Sequence, residues 1–387
     1  MNLSDDHMRE VEVTAPINIA LIKYWGKRNE DFMLPLNDSI SLSINNVYAK
    51  TRIRIGSSIK EDSVSINGSN ICLSKYPGFL RCFNEVRRII RKRPITPEIT
   101  ENSEKRNYFS KFEIVSETSF PIKAGLASSA AGFAAIAYGL GQIYQLSITD
   151  IVRVARMGSG SACRSILSGL VHWKAGTAED GADCVCETVF PEDYWPTLRS
   201  LILVTSYDAK EVSSSIGMRS TVKTSKLLKA RLTIVKSAFQ RRDFEELAEV
   251  IMSDSGQLHA LCMDTLPSLK YLNDNSWYLM QLIHALNRYC KSKKVAYTFD
   301  AGPNCCLFME SVNVPLILAV IKQIAECSAA YEYENLKSLV EKEQENLILF
   351  ESMHGEENKA IEPMEGVIKN IVLSCVGAGP LVLEESG

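Results

Sequence analysis

Apolar and polar residues alternate through three runs between residues 39 and 73, SISLSI, KTRIRI and VSINGSNICL. A period of two puts successive side chains on opposite faces of a strand, and Asn67-Gly68 at the centre of the last run is a hairpin signal. An antiparallel sheet is therefore expected to open the protein. GFLRCFNEVRRIIRK, from Gly78, changes to a helical period and predicts a basic amphipathic helix, and TPEITENSEKRN, from Thr96, breaks the pattern as a loop. FEIVSETSF is a further strand that feeds into PIKAGLASSAAGFAA, Pro121 to Ala135. After Ala127 the small residues and AAIAYGLGQIY predict a buried helix, and ITDIVRVAR begins another that ends near Gly158.

From Leu201 the texture changes. LILVTS is a strand, while residues 213 to 253, WYLMQLIHALNRYC and VPLILAVIKQIA are helical in pattern. VAYTFDAG and CCLFME read as paired strands around a turn, and IKNIVLSCVGAGPLVLE as a closing strand pair. The sum is an α+β architecture with a boundary near residues 190 to 205. No internal repeat or low-complexity tract interrupts it.

Composition narrows the class. At 387 residues, 46% hydrophobic and 23% charged, the chain predicts one large or two fused domains. A formal net charge of -3 gives no electrostatic reason to expect nucleic acid or an anionic membrane as main partner. The N-terminal MNLSDDHMREVEV has acidic residues and no apolar core, so it reads as neither a secretory signal nor a transit peptide. No uncharged apolar run reaches the roughly 18 residues of a membrane-spanning helix, and the cytoplasm is the default expectation. The 11 cysteines lack metal-binding spacing and are expected to be reduced, mostly buried, small hydrophobes.

Four segments could carry chemistry. In Gly125-Leu126-Ala127-Ser128-Ser129 the glycine permits a sharp reversal, and the amides opening a helix suit a polyphosphate; the two hydroxyls suit phosphate oxygens or magnesium. Alone, the stretch favours close packing with an N-cap serine. NIALIKYWGKRNE sets Lys23, Tyr24 and Lys27 at the end of an apolar strand, either as an anion site or as a solvated strand end with Trp25 as packing anchor. ARMGSGSACRS holds Ser159, Ser161 and Arg164, where hydroxyls and a guanidinium fork converge or a Gly-Ser turn caps a helix. In YTFDAGPN, Asp300 ends an apolar strand, as an Asx-turn residue or as a carboxylate that orients or deprotonates a hydroxyl. Each segment alone favours the bland reading; together they form an inventory for phosphoryl transfer.

NIALIKYWGKR, GLASSAAGFAA, GSGSACRS, EVSSSIGM and TFDAGPN, in this order and across nearly the whole chain, resemble the mevalonate diphosphate decarboxylase branch of the GHMP kinase superfamily. The resemblance implies a two-lobed fold: an N-terminal lobe, residues 1–195, with a mixed or antiparallel sheet and helices like the second domain of ribosomal protein S5, and a C-terminal α/β sandwich, residues 196–387. The active site is then the cleft between them. It implies ATP- and Mg²⁺-dependent decarboxylation of mevalonate 5-diphosphate to isopentenyl diphosphate, in isoprenoid and sterol biosynthesis, by a homodimer. Carried over by position, Asp300, Lys23 and Arg164 are the catalytic set, with Arg164 holding the substrate carboxylate. Tyr24, Lys27, Ser159 and Ser161 cradle the diphosphate, and Ser214 lies on a loop that approaches the substrate. Gly125, Leu126, Ala127, Ser128 and Ser129 hold ATP, Ser129 being the candidate magnesium contact. The alternatives are a kinase of the same fold acting on mevalonate or phosphomevalonate without decarboxylation, and an inactive relative serving as sensor or scaffold.

Overall fold

Two long strands make the spine of the first sheet. In the computed structural model, which describes residues 8–92, 111–119, 128–206, 214–224, 232–324, 364 and 366–386, β1 runs Arg9–Ile22, and the short β2 (Lys27–Asn29) and β3 (Leu34–Pro35) form a ribbon leading to β4, Ser39–Ile55. SISLSI and KTRIRI thus belong to one strand. Its register against β1 shifts between Pro16 and Ile17, opposite Ile44–Tyr48. Asn46, at φ 64°, takes up the left-handed conformation that the bulge requires. β5 (Ser63–Ile66) and β6 (Ser69–Asn70) form the expected hairpin, with Asn67 at φ 47° and Gly68 at φ 75°, as a type I′ turn demands.

Helix α1, Pro77–Lys92, carries the basic amphipathic pattern and buries Phe79, Cys82, Phe83, Val86 and Ile89. After β7 (Glu113–Thr118) come α2 (Ser128–Ile143) and α3 (Ile148–Gly158), the latter capped by Ser147, which accepts the Asp150 N–H. The small residues of α2 serve packing: Ala131, Ala134 and Ala135 are fully buried, and a Cβ on Gly139 would lie 2.7 Å from Ile53 Cδ1 of the sheet, and one on Gly141 2.5 Å from Ile151. Two strands unsignalled in the sequence, β8 (Leu170–Trp173) and β9 (Cys186–Phe190), extend the sheet from the first half of β4.

The second sheet begins with β10, Leu198–Val204. Helices α4 (Ser214–Thr224), α5 (Leu232–Arg241), α6 (Phe244–Met263) and α7 (Asp274–Tyr289) occupy the segments with helical pattern, followed by β11 (Val295–Phe299), β12 (Cys305–Glu310) and α8 (Val314–Ile324). β11 and β12 pair antiparallel, Phe299 opposite Cys305.

The expected closing strand pair is corrected. β13 (Asn370–Cys375) pairs with β10 in the second sheet, whereas β14 (Leu381–Ser386) returns to the first and pairs antiparallel with β1. The crossing is pinned where Gly377 N–H donates to Ser43 O at 2.8 Å and Gly169 N–H donates to Gly377 O at 3.1 Å. A Cβ on Gly377 would lie 2.5 Å from Asn45 Oδ1, which excludes a side chain there. The resulting orders are β14-β1-β4-β7-β5-β6, with β8 and β9 branching from β4, and β11-β12-β10-β13. Buried apolar residues form one continuous cluster from Val11 to Ile371, so both sheets share a core. Among the described residues ten cysteines are free thiols, most of them buried, and no helix is long and apolar enough to cross a membrane. The loop expected from Thr96 and the residues Gly125, Leu126 and Ala127 lie outside the described residues.

Candidate active site

Lys23 and Asp300 each stand one residue past a strand end, Lys23 after β1 and Asp300 after β11, in different sheets. Lys23 Nζ donates to Asp300 Oδ1 at 2.6 Å. The lysine side chain is 6% exposed and the aspartate side chain 33%. The ammonium is therefore buried, while the carboxylate stays partly open to solvent. The Lys23 main chain is fixed on both sides: its N–H donates to Asp254 Oδ2 at 2.8 Å and its carbonyl accepts from Asn37 Nδ2 at 2.9 Å.

His259, on α6, meets the Phe299 ring edge to face, centroids 6.4 Å apart, and its Nε2 is buried with no hydrogen-bond partner among the described residues. Burial first, and then the Lys23 ammonium, push its pKa down to about 4, against the smaller opposing pull of Asp300. The imidazole is neutral at pH 7. On acidification the unfolded chain takes up this proton from pH 6.5 downward, whereas the folded chain resists to about pH 4, so stability falls as pH drops through that window. The loss is on the order of 3 kcal/mol for this group. Urea unfolding at pH values from 7 to 4 should show that slope, and His259→Gln should flatten it; an unchanged slope in the variant would exclude the histidine as its source.

Arg164 lies in a 3₁₀ turn, Gly160–Ile166, and is 3% exposed. Its Nε donates to Asn18 Oδ1 at 3.0 Å and its Nη1 to Ser39 Oγ at 2.6 Å, and the guanidinium carbon sits 5.7 Å from the Trp173 ring centroid. Asn18 is locked in turn by donating to Ser161 O at 3.0 Å and Ser165 Oγ at 2.8 Å. All these partners of Arg164 are neutral, and among the described residues no carboxylate pairs with it, although Asp300 is within electrostatic reach. Burial pulls its pKa down, yet a guanidinium stays charged. A buried cation held by neutral groups alone is costly, so the pocket is complementary to an anion.

Tyr24 packs on Trp173 with ring centroids 4.7 Å apart. Its hydroxyl is buried without a partner among the described residues, and burial raises its pKa, so it remains a proton donor. A Cβ on Gly160 would come within 2.8 Å of that hydroxyl, so the glycine keeps the space open. Lys27 donates to Glu30 Oε2 at 3.0 Å. Its pKa is lowered, chiefly by burial and further by the nearby Arg81 of α1 and Arg219 of α4. Those two arginines carry no motif in the sequence, and only the fold gathers them around Lys27.

Ser159 and Ser129 approach to 3.3 Å between hydroxyl oxygens, bringing the Gly-Ser turn to the start of α2. Ser129 is exposed and Ser161 half-buried; Ser128 begins α2, whose first turn holds no acidic residue. An anion suits that helix start. Ser214 opens α4, and that helix is tied to the segment just after β1 by Trp25 Nε1 donating to Thr221 Oγ1 at 3.0 Å. Among the described residues no group of three or more His, Cys, Asp or Glu could hold a metal ion. Magnesium commonly takes most of its ligands from phosphate oxygens and water, so it needs no such group.

Two family models match the chain: the diphosphomevalonate decarboxylase-like N-terminal domain over residues 15–186 and the mevalonate 5-diphosphate decarboxylase C-terminal domain over residues 200–383. The chain is 39% identical to the diphosphomevalonate decarboxylase of Bos taurus over 390 residues, covering 97% of this chain and 94% of that one. Its structure is similar to the mevalonate diphosphate decarboxylase of Trypanosoma brucei, with a TM-score of 0.81 and 32% identity, covering 97% and 98% of the two chains. It is also similar, with a TM-score of 0.71 and 28% identity over 97% and 99%, to a structure of MDDEF in complex with MVAPP, AMPPCP and magnesium.

Proposed function

This chain belongs to the mevalonate 5-diphosphate decarboxylase family, and on that premise we propose how its cleft performs the reaction. It is an ATP-dependent carboxy-lyase that converts mevalonate 5-diphosphate to isopentenyl diphosphate, ADP, phosphate and carbon dioxide, in isoprenoid and sterol biosynthesis. The observation that carries the assignment of roles is the buried Arg164, lacking a counter-ion among the described residues, in reach of the Lys23–Asp300 pair.

Carbon 3 of the substrate bears a tertiary hydroxyl, a poor leaving group. Asp300 orients that hydroxyl and accepts its proton as the oxygen attacks the γ-phosphorus of ATP and the bond to ADP breaks. Lys23 fixes the carboxylate and offsets charge on the transferring group. The new phosphate then leaves with the C–O electron pair, and the bond from carbon 2 to the carboxyl carbon supplies the electrons of the new double bond as carbon dioxide departs. Arg164 orients the carboxylate rather than stabilising it: a tight hold on the departing charge would favour the ground state.

Tyr24, Lys27, Ser159 and Ser161 are assigned to the substrate diphosphate, with Arg81 and Arg219 added on the strength of their place beside Lys27, and Ser214 to the α4 wall. Gly125, Leu126, Ala127, Ser128 and Ser129 are assigned to the ATP phosphates. Magnesium, when bound, neutralises polyphosphate charge, with Ser129 as the protein contact. The two lobes, residues 1–195 and 196–387, are supported by family models that meet between residues 186 and 200, with β14 returning to the first sheet. A homodimer in the cytoplasm completes the reading and rests on the family resemblance. Phosphorus NMR of a reaction with ATP and mevalonate 5-diphosphate should show ADP, free phosphate and isopentenyl diphosphate. A stable 3-phosphate ester would instead restore the kinase alternative.

A further inference from the structure

One turn of α6 touches the main chain at both strand ends that carry the Lys23–Asp300 pair. Asp254 Oδ2 accepts the Lys23 N–H at 2.8 Å, and Ser255 Oγ accepts the N–H of Phe299, the residue before Asp300, at 2.9 Å. Asp254 is 4% exposed and Ser255 1%, so water cannot replace either acceptor without opening the core. Adjacent side chains of one rigid helix thus hold two strand ends from different sheets, and the 2.6 Å Lys23–Asp300 contact lies between the two held points. His259 follows Ser255 by four residues, on the same helix face, and packs on the Phe299 ring.

We propose that Asp254 and Ser255 are positioning residues that set the Lys23–Asp300 geometry for turnover, acting through main-chain hydrogen bonds at Lys23 and Phe299. The proposal rests on the assignment of Lys23 and Asp300 to the reaction. Neither Asp254 nor Ser255 is assigned a contact with substrate. Their loss changes where the reacting groups stand, and a displacement of about 1 Å costs on the order of 100-fold in rate.

The test is a double-mutant cycle in the full-length protein with saturating ATP and mevalonate 5-diphosphate. Ser255→Ala is expected to lower kcat by roughly 10- to 100-fold while both KM values stay within about threefold. Because Ser255 acts through Asp300, Ser255→Ala combined with Asp300→Asn should be no slower than Asp300→Asn alone, within about threefold. Asp254→Asn, which keeps shape and an acceptor oxygen, should retain more activity than Asp254→Ala, and serves as the second probe if the serine variant does not fold. Losses that multiply in the double variant, or a kcat unchanged in Ser255→Ala and in both Asp254 variants, overturn the positioning role and leave the catalytic assignment standing. Near-normal turnover of Asp300→Asn alone overturns both.

Discussion

Asp300→Asn is expected to lower kcat by about two orders of magnitude or more. The substitution keeps the size of the side chain and an oxygen able to accept from Lys23 Nζ, now 2.6 Å from Asp300 Oδ1, so the strand end and the ion-pair partner stay near their places. What disappears is the negative charge and the ability to take a proton from the substrate hydroxyl. KM for mevalonate 5-diphosphate should change far less than kcat, since the diphosphate and carboxylate are held by other residues. Steady-state kinetics with ATP saturating measures both, and turnover near that of the unaltered protein would remove Asp300 from the reaction.

Arg164→Lys should be nearly as damaging although it keeps the charge. The guanidinium reaches Asn18 and Ser39 with two different nitrogens while its plane lies near Trp173. A lysine ammonium is a point donor and cannot hold both neighbours and present a flat edge to a carboxylate. Asn18 Oδ1 or Ser39 Oγ would lose its donor in a buried place, at a cost of about 1–3 kcal/mol. We expect kcat/KM to fall by about 100-fold, most of it from the misdirected substrate carboxylate, with the protein still folded by circular dichroism. Retention of activity within a few-fold would show that charge alone suffices.

Arginine burial by itself marks nothing in a sequence. Arg156 is fully buried too and also held by neutral groups, but its two terminal nitrogens are taken up by the carbonyls of Gly181 and Cys184, a loop-holding role that its side chain type does not announce. The local elements were legible because their signals are local: the turn residues Asn67-Gly68, the basic stripe of α1, and the strand-turn-strand around Asp300. The return of β14 to β1 was not, since a strand pattern carries no record of which sheet edge completes it. Nor were β8 and β9, too short for alternation to register. In the site, the ordered motifs brought out Lys23, Arg164 and Asp300, but not the residues that aim them. Asn18 and Ser39 are polar positions inside strands, and Asp254 and Ser255 interrupt an apolar stripe of α6 that includes Leu247, Ile251, Leu258 and Cys262. A polar residue at a core position of an amphipathic helix is the signal that could have identified them. Arg81 and Arg219 had no such signal, because their meeting beside Lys27 is purely tertiary.

The central claim is that phosphorylation in this cleft is followed by loss of the carboxyl group. The direct measurement uses mevalonate 5-diphosphate labelled at the carboxyl carbon, with ATP and magnesium, and compares trapped carbon dioxide with ADP formed. The account predicts equal amounts at every time point, and none of either without ATP. ADP accumulating without carbon dioxide would contradict it.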